Sequence, residues 1–317
     1  MTGTVYKSTG SWYTVKTDGG DFVDCRIKGK FRTKGIKSTN PVAVGDRVKL
    51  RLETTGDEEI GVIHEILDRT NYIVRKSVNL SKQTHVIAAN LDVVFLLVTL
   101  RDPLTHTVFI DRFLATCEAY DVKAVLLFNK SDMYDEEELL DVKFLANMYR
   151  EIGYDCLGVS AKTGKNVDRL QEMMQDKLCM FAGHSGVGKS TLVNAIAPEL
   201  DLRTSEISQQ HAQGQHTTTF AEMFDLDFGA RIIDTPGIKG FGVVNMEKEE
   251  IGDYFPEFFE LKSACKFNNC LHLEEPKCAV KAALENDELS WSRYRSYVQM
   301  LTEDADTYRT DIYGQNQ

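Results

Sequence analysis

Residues 128–132 read Phe-Asn-Lys-Ser-Asp and close the apolar run AVLLF (124–128). A run of that kind is a buried strand, and here it delivers a polar tetrapeptide, NKSD, at its C-terminal end. A glycine-rich stretch, GHSGVGKST, follows only at 183–191. Where a nucleotide-binding domain combines these two pieces, the glycine-rich loop ordinarily comes first. The order is reversed in this chain, and the fold turns on what that reversal means.

GHSGVGKS fits G-x-x-x-x-G-K-[ST] at Gly183, Gly188, Lys189 and Ser190, with His184, Ser185, Gly186 and Val187 between them and Thr191 after. The apolar run LCMFA precedes it and KSTLVNAIAPEL follows, the strand-to-helix context the motif requires. Glycines let backbone N–H groups turn toward a phosphate, and the helix N-terminus favours negative charge. Lys189 is placed to reach the β- and γ-phosphates, and Ser190 to ligate Mg²⁺. Without a ligand the same stretch is only a glycine-rich turn. ARIIDTPG (230–237) ends a further apolar strand on Asp234, where an indirect contact to Mg²⁺, through one of the ion's own ligands, belongs, with Gly237 closing the motif. By itself DTPG is an ordinary turn.

The phosphate loop is indifferent to the base; NKSD is not. A carboxylate such as Asp132 accepts two parallel hydrogen bonds from guanine N1–H and its 2-amino group, and adenine lacks that donor pair. Asn129, Lys130 and Ser131 form the rest of the loop, the first two bracing it and packing on the base. One strand and helix later, YDCLGVS leads into Ser160-Ala161-Lys162, where a backbone N–H meets guanine O6. Both stretches lie at strand C-termini of a parallel sheet, where open α/β folds hold ligands. Alone, NKSD is also a reasonable helix N-cap. With the phosphate loop, the order base, base, phosphate, switch, switch describes a circularly permuted domain.

Between the phosphate loop and DTPG lies QQHAQGQHTTTF (209–220). One of Thr217, Thr218 and Thr219 is expected to ligate Mg²⁺ in a switch loop; the residues do not choose among them. The position after the DTPG glycine, where many GTPases carry a water-orienting glutamine, is Ile238. Isoleucine cannot orient water, so unaided hydrolysis should be slow. His216 is the best local substitute, although a histidine in a polar loop is often merely exposed.

The flanks differ in kind. Residues 1–72 carry five short β-patterned runs separated by turn signals, suiting a small OB-type barrel. Residues 71–90 read as an irregular connector, strand–helix alternation follows to 244, and 245–317 read as helical apart from one Cys-rich segment. Cys265, Cys270, His272 and Cys278 supply the four ligands of a closed, structural zinc site. Cys25, Cys117, Cys156 and Cys179 sit in apolar patterns and read as core. Helix WSRYRSYVQML (291–301) reads equally as an RNA- or protein-contacting face or as a packing helix.

The net charge of -11 argues against nucleic acid at first sight, yet Arg26, Lys28, Lys30, Arg32, Lys34, Lys37, Arg47, Lys49 and Arg51 fall within one stretch that holds a single acid, Asp46. Local patches decide such binding, so an RNA partner stays open. The longest apolar run, about residues 93–100, is too short to cross a bilayer, and the N-terminus lacks a signal-peptide pattern. A cytoplasmic monomer without membrane contact is the expectation.

NKSD, SAK, GHSGVGKST, GQHTTT and DTPG, in that order, between a barrel and a Cys/His cluster, resemble the RsgA (YjeQ/YloQ) family of circularly permuted GTPases over nearly the whole chain. The resemblance implies a multidomain α/β protein with an N-terminal OB-fold barrel (1–72), a permuted P-loop GTPase domain (73–244) and a C-terminal helical zinc-binding domain (245–317). It implies GTP hydrolysis in late maturation of the small ribosomal subunit, stimulated by that subunit, with rRNA, GTP and GDP as partners. One structural Zn²⁺ per chain and Mg²⁺ with GTP are the implied cofactors, and His216, Lys189 and Asp234 the implied catalytic residues. An RNA-binding assembly module that keeps GTP as a switch ligand, with little hydrolysis, is the alternative that Ile238 leaves standing.

Overall fold

The computed structural model describes residues 1–27, 41–55, 58–76, 84–200, 221–234 and 246–302. Strands β1 (Thr2–Ser8), β2 (Tyr13–Thr17), β3 (Phe22–Ile27), β4 (Arg47–Thr55) and β5 (Glu58–Ile66) form the N-terminal barrel. β1 pairs antiparallel with both β2 and β4, β2 with β3, and β4 with β5, while β3 and β5 run parallel, so the sheet closes. Closure follows from period-two patterning: Val5, Val15, Cys25, Val48, Leu50 and Ile63 all turn inward into one core. Behind that core Arg69 clamps the buried Asp46 carboxylate through Nε (2.6 Å) and Nη2 (2.7 Å).

The connector after the barrel is more regular than its sequence suggests. β6 (Tyr72–Lys76) and β7 (Thr84–Ala89) pair antiparallel. Val74 and Val86 pack with Ala43 in a small core of their own, and Val44 bridges to Ala88. Two short β-branched runs thus find partners across a gap that no local pattern reveals.

The nucleotide-domain strands are β8 (Val93–Val98), β9 (Ala124–Phe128), β10 (Asp155–Gly158), β11 (Leu178–Ala182), β12 (Glu222–Asp225) and β13 (Arg231–Asp234). In space they run β10-β9-β8-β11-β13-β12. All neighbours are parallel except the edge pair β12–β13. β8, β9 and β11 are buried along their whole length, as continuous apolar runs must be when helices cover both faces. Helices α1 (Thr107–Ala119) and α2 (Glu136–Ile152) cover one face; α3 (Val167–Met174) and α4 (Lys189–Ile196) cover the other. Asp135 and Glu138 form a capping box that starts α2, and Gly153, at φ 113°, ends it.

Chain order against spatial order explains the permutation. From β8 the chain winds outward through β9 to β10, then returns to the centre as β11 and winds the other way to β13 and β12. The winding reverses between β8 and β11, the crevice where open α/β sheets bind ligands. GHSGVGKST leaves β11 at that crevice, and NKSD leaves β9 one strand further out.

The barrel joins the edge of this sheet. Lys7 of β1 pairs with Glu222 of β12, Tyr6 donates to Asp225 (2.7 Å), and Lys16 bonds the same carboxylate (2.6 Å). At the opposite end of the chain lie α5 (Lys248–Ile251), α6 (Pro256–Lys262), α7 (Ala279–Glu285) and α8 (Trp291–Thr302). Their core of Phe255, Phe258, Tyr297 and Leu301 includes Ala115 of α1. Of the two readings of WSRYRSYVQML, the packing helix is the one seen: Arg293, Ser296, Tyr297, Met300 and Leu301 are buried. No helix among the described residues is long and apolar enough to cross a membrane.

Candidate nucleotide site and metal centre

The phosphate loop needs backbone conformations that most residues resist. Gly183 has φ 141°, and a Cβ there would lie 2.9 Å from the Leu97 carbonyl oxygen. Gly188 has φ 94°, and a Cβ there would come within 2.6 Å of Asn129 Nδ2. Val187 is buried between them; Ser185 and Gly186 are exposed, and Ser190 and Thr191 open α4. Lys189 folds back over the loop, donating from Nζ to the carbonyls of Gly183 (2.6 Å) and His184 (2.7 Å). Burial pushes its pKa down to about 8, against the opposing pull of Asp234. Asp234, at the end of β13, is shifted upward by burial and by Glu222, and held back by Lys189. Lys189 and Asp234 thus attract each other across the loop, with Ser190 next to Lys189 in the first turn of α4, the residue types a Mg²⁺-bound triphosphate requires.

NKSD is built into this loop rather than set beside it. Asn129 Nδ2 donates to the Val187 carbonyl (2.8 Å), although the residues are 58 positions apart. Lys130 Nζ donates to the Asp102 carbonyl. Ser160 Oγ donates to Asp132 Oδ1 (2.6 Å) and accepts from Thr163 N (3.2 Å), so SAK and NKSD share one hydrogen-bonded unit. Ala161 and Lys162 follow at its outer edge, the latter exposed like Asp132. Asn129 Oδ1 and Ser131 Oγ are buried with no hydrogen-bond partner. Buried acceptors left open are uncommon, and here they border the place a guanine would occupy.

Two residues of this site escape a motif reading. Tyr134 donates to the Asn129 carbonyl (2.9 Å) and accepts from Leu100 N (3.0 Å), pinning the base-side loop. Phe109 of α1 stacks on His184, with centroids 3.8 Å apart. Nothing in sequence marks either one, because each acts through a partner on another element. His216, Thr217, Thr218, Thr219, Gly237 and Ile238 lie outside the described residues.

The Cys/His quartet comes together between α6 and α7. The ligand atoms of Cys265, Cys270, His272 and Cys278 lie within 4.8 Å of one another, and all four residues are buried. His272 Nδ1 is 3.7 Å from Cys265 Sγ and 3.3 Å from Cys278 Sγ. A tetrahedral zinc with Zn–S near 2.3 Å and Zn–N near 2.0 Å sets sulfur–nitrogen edges at about 3.5 Å. Backbone N–H groups of Ala279 (3.3 Å) and Lys281 (3.5 Å) donate to the sulfurs of Cys265 and Cys278, which suits thiolates. The donor set therefore fits a structural Zn²⁺, with no position left open for a substrate.

The barrel's basic stretch is less free than its composition suggests. Arg47 forks onto Asp18 (2.7 and 3.0 Å), Lys49 pairs with Glu65, Arg51 with Glu53, and Arg26 lies over the Trp12 ring. Lys28, Lys30, Arg32, Lys34 and Lys37 lie outside the described residues.

Fold and site together define a circularly permuted P-loop GTPase carrying a barrel before it and a Cys₃His metal centre after it. The RsgA GTPase family profile matches residues 66–244, and the RsgA N-terminal domain profile matches 2–63. The chain is 67% identical over 313 residues to the small ribosomal subunit biogenesis GTPase RsgA of Christiangramia forsetii, covering 99% of both chains. It is 66% identical to the protein of the same name from Flavobacterium johnsoniae, covering 100% of this chain and 97% of that one. Among solved structures, YjeQ from Thermotoga maritima matches with TM-score 0.76 at 36% identity, covering 96% of this chain and 99% of that one. YloQ, a circularly permuted GTPase, matches with TM-score 0.71 at 33% identity over 96% and 95%. The chain belongs to the RsgA family of GTPases.

Proposed function

We propose that this protein hydrolyses GTP in the biogenesis of the small ribosomal subunit, in the cytoplasm, and is stimulated by the subunit it binds. The observation that carries the reading is the joining of the base-side and phosphate-side loops by Asn129 and Val187, with Asp132 and Ser160 bonded beside them. In this reading Asp132 selects guanine, Asn129, Lys130, Ser131, Ser160, Ala161 and Lys162 frame the base, and residues 183–191 cradle the phosphates. Lys189 neutralises charge on the β- and γ-phosphates; Ser190 and Asp234 serve the Mg²⁺ site, with Gly237 beyond it. His216 stands in for the glutamine that Ile238 replaces. Residues 1–72 and 245–317 face rRNA and the subunit, the latter shaped by one Zn²⁺ on Cys265, Cys270, His272 and Cys278, while 73–244 turn over nucleotide.

Phosphate release from GTP, measured with and without purified small subunits, tests this. Strong stimulation by the subunit is expected. Tight GTP binding with no turnover in either condition would replace the reading with a ligand switch that does not hydrolyse. His216→Ala should lower stimulated turnover far more than GTP affinity; equal losses, or none, remove His216 from the chemistry.

A further inference from the structure

One helix, α1, touches both the phosphate loop and the C-terminal helices. Near its start, Phe109 stacks on the His184 ring, centroids 3.8 Å apart and planes 36° from parallel. The backbone of His184 is functionally placed too, since its carbonyl holds Lys189 Nζ at 2.7 Å. Two positions along α1, Asp111 Oδ1 accepts from Arg293 Nη1 of α8 (2.8 Å) and from Tyr149 of α2 (2.7 Å). The same guanidinium forks onto Glu257 of α6 (2.7 and 3.0 Å). Arg293 and Asp111 are 1% and 0% exposed. α8 is itself tied to the metal-binding knuckle, because Tyr294 donates to the His272 carbonyl (2.7 Å) and Tyr297 to that of Leu271 (2.8 Å).

The physical consequence is directional. A buried guanidinium and carboxylate cannot part without leaving uncompensated charge, so the seated C-terminal domain fixes where α1 lies. A helix moves as a unit, and Phe109 moves with Asp111. Any shift of Phe109 is felt by the ring stacked against it and by the carbonyl behind that ring.

We propose that His184 is a positioning residue for Lys189, held through Phe109 by the Arg293–Asp111 seat of the C-terminal domain, so that this domain tunes nucleotide affinity. The inference rests on the GTPase reading and adds a route independent of the switch segments.

The test is a double-mutant cycle on the full, zinc-loaded chain, read as the dissociation constant of a ribose-labelled fluorescent GDP. Phe109→Leu and Arg293→Met should each weaken binding about tenfold, within the ordinary range of coupling between sites. The double variant should be no weaker than the worse single, because both cut one path. Phe109→Tyr, which keeps the ring, should restore affinity. In NMR spectra the His184 ring protons, shifted by the Phe109 ring current, should move in Arg293→Met although that residue does not touch them. Where Arg293→Met does not fold, Glu257→Gln loosens the same guanidinium and takes its place, judged by the same two readouts. Unchanged affinity in Phe109→Leu, strictly multiplicative losses, or a His184 resonance indifferent to Arg293 each overturns the proposal. Wild-type protein that bound no guanine nucleotide would instead sink the GTPase reading beneath it.

Discussion

The side-chain amide of Asn129 occupies the space that a side chain at Gly188 would need: Nδ2 lies 2.6 Å from the position of a Cβ there and bonds the Val187 carbonyl at 2.8 Å. The NKSD loop and the glycine-rich loop therefore share one strut. Asn129→Ala leaves the Val187 carbonyl buried without its donor, a loss of about 1–3 kcal/mol, or roughly 5- to 150-fold in any equilibrium that needs the loop formed. GDP affinity, measured by fluorescence titration, should fall within that range, and Gly188→Ala should fall at least as far. An Asn129→Ala protein within twofold of wild type would show that the loop holds itself.

How much of this was legible depends on where each partner lies. GHSGVGKST and NKSD could be read because each motif sits entirely at one strand end and its residue types have few other uses there. The reversed motif order then marked the domain as circularly permuted, while the spatial order of its strands came only with the folded sheet. The Cys/His quartet was equally local. The Asp132–Ser160 bond, Tyr134 and the Phe109–His184 stack were not legible, since each joins elements whose proximity only the folded sheet creates. The same blindness ran the other way for Arg293 and Arg47. Arg47 read as part of a basic patch and Arg293 as either a contact or a packing residue, and both are committed to carboxylates distant in sequence, Asp111 and Glu257 for Arg293 and Asp18 for Arg47.

Asp132 is exposed and already accepts from Ser160, so its free lone pairs face outward, where a base would meet them. Asp132→Asn turns one of those acceptors into a donor. Guanine then meets an N–H opposite its own donors, while xanthine, with an oxygen at position 2, meets a partner. A site built on such hydrogen bonds discriminates by up to about 10⁴-fold. The variant should lose GTP and bind XTP, measured by competition against labelled GDP. Retained preference for GTP would move base selection away from Asp132.

Lys189 gives two pH effects of opposite sign. Its pKa in the free protein is about 8, against 10.5 for an unburied lysine. Phosphate binding needs the ammonium, so GDP affinity should decline as pH rises through about 8. Folding obeys the reverse logic. Between about 8 and 10.5 the unfolded chain binds the extra proton, so the nucleotide-free protein should gain stability from this residue as pH rises across that window. Lys189→Met should abolish both trends. Titrations of GDP binding and of urea unfolding from pH 7 to 10 provide the comparison, and a wild-type affinity that is flat across it would place the lysine's pKa elsewhere.

The metal centre separates the seven cysteines into two chemical classes. Burial pushes the thiols of Cys25, Cys156 and Cys179 up to about 12, and that of Cys117 upward as well, so none offers a reactive thiolate near neutral pH. Cys265, Cys270 and Cys278 are withheld differently, as ligands. Zinc-loaded protein should thus contain one zinc by elemental analysis and show no rapidly reacting thiol toward a disulfide reagent. Removing the metal with a strong chelator should expose three fast thiols, because a closed structural site unfolds its own knuckle when emptied. His272→Ala should weaken zinc binding enough for the same three to react without chelator. Four slow thiols should remain in every case, reacting only in denaturant. Protein that held no zinc after purification with the metal present, or whose fast thiols did not depend on it, would reduce the quartet to a buried cluster of thiols with no ion to organise it.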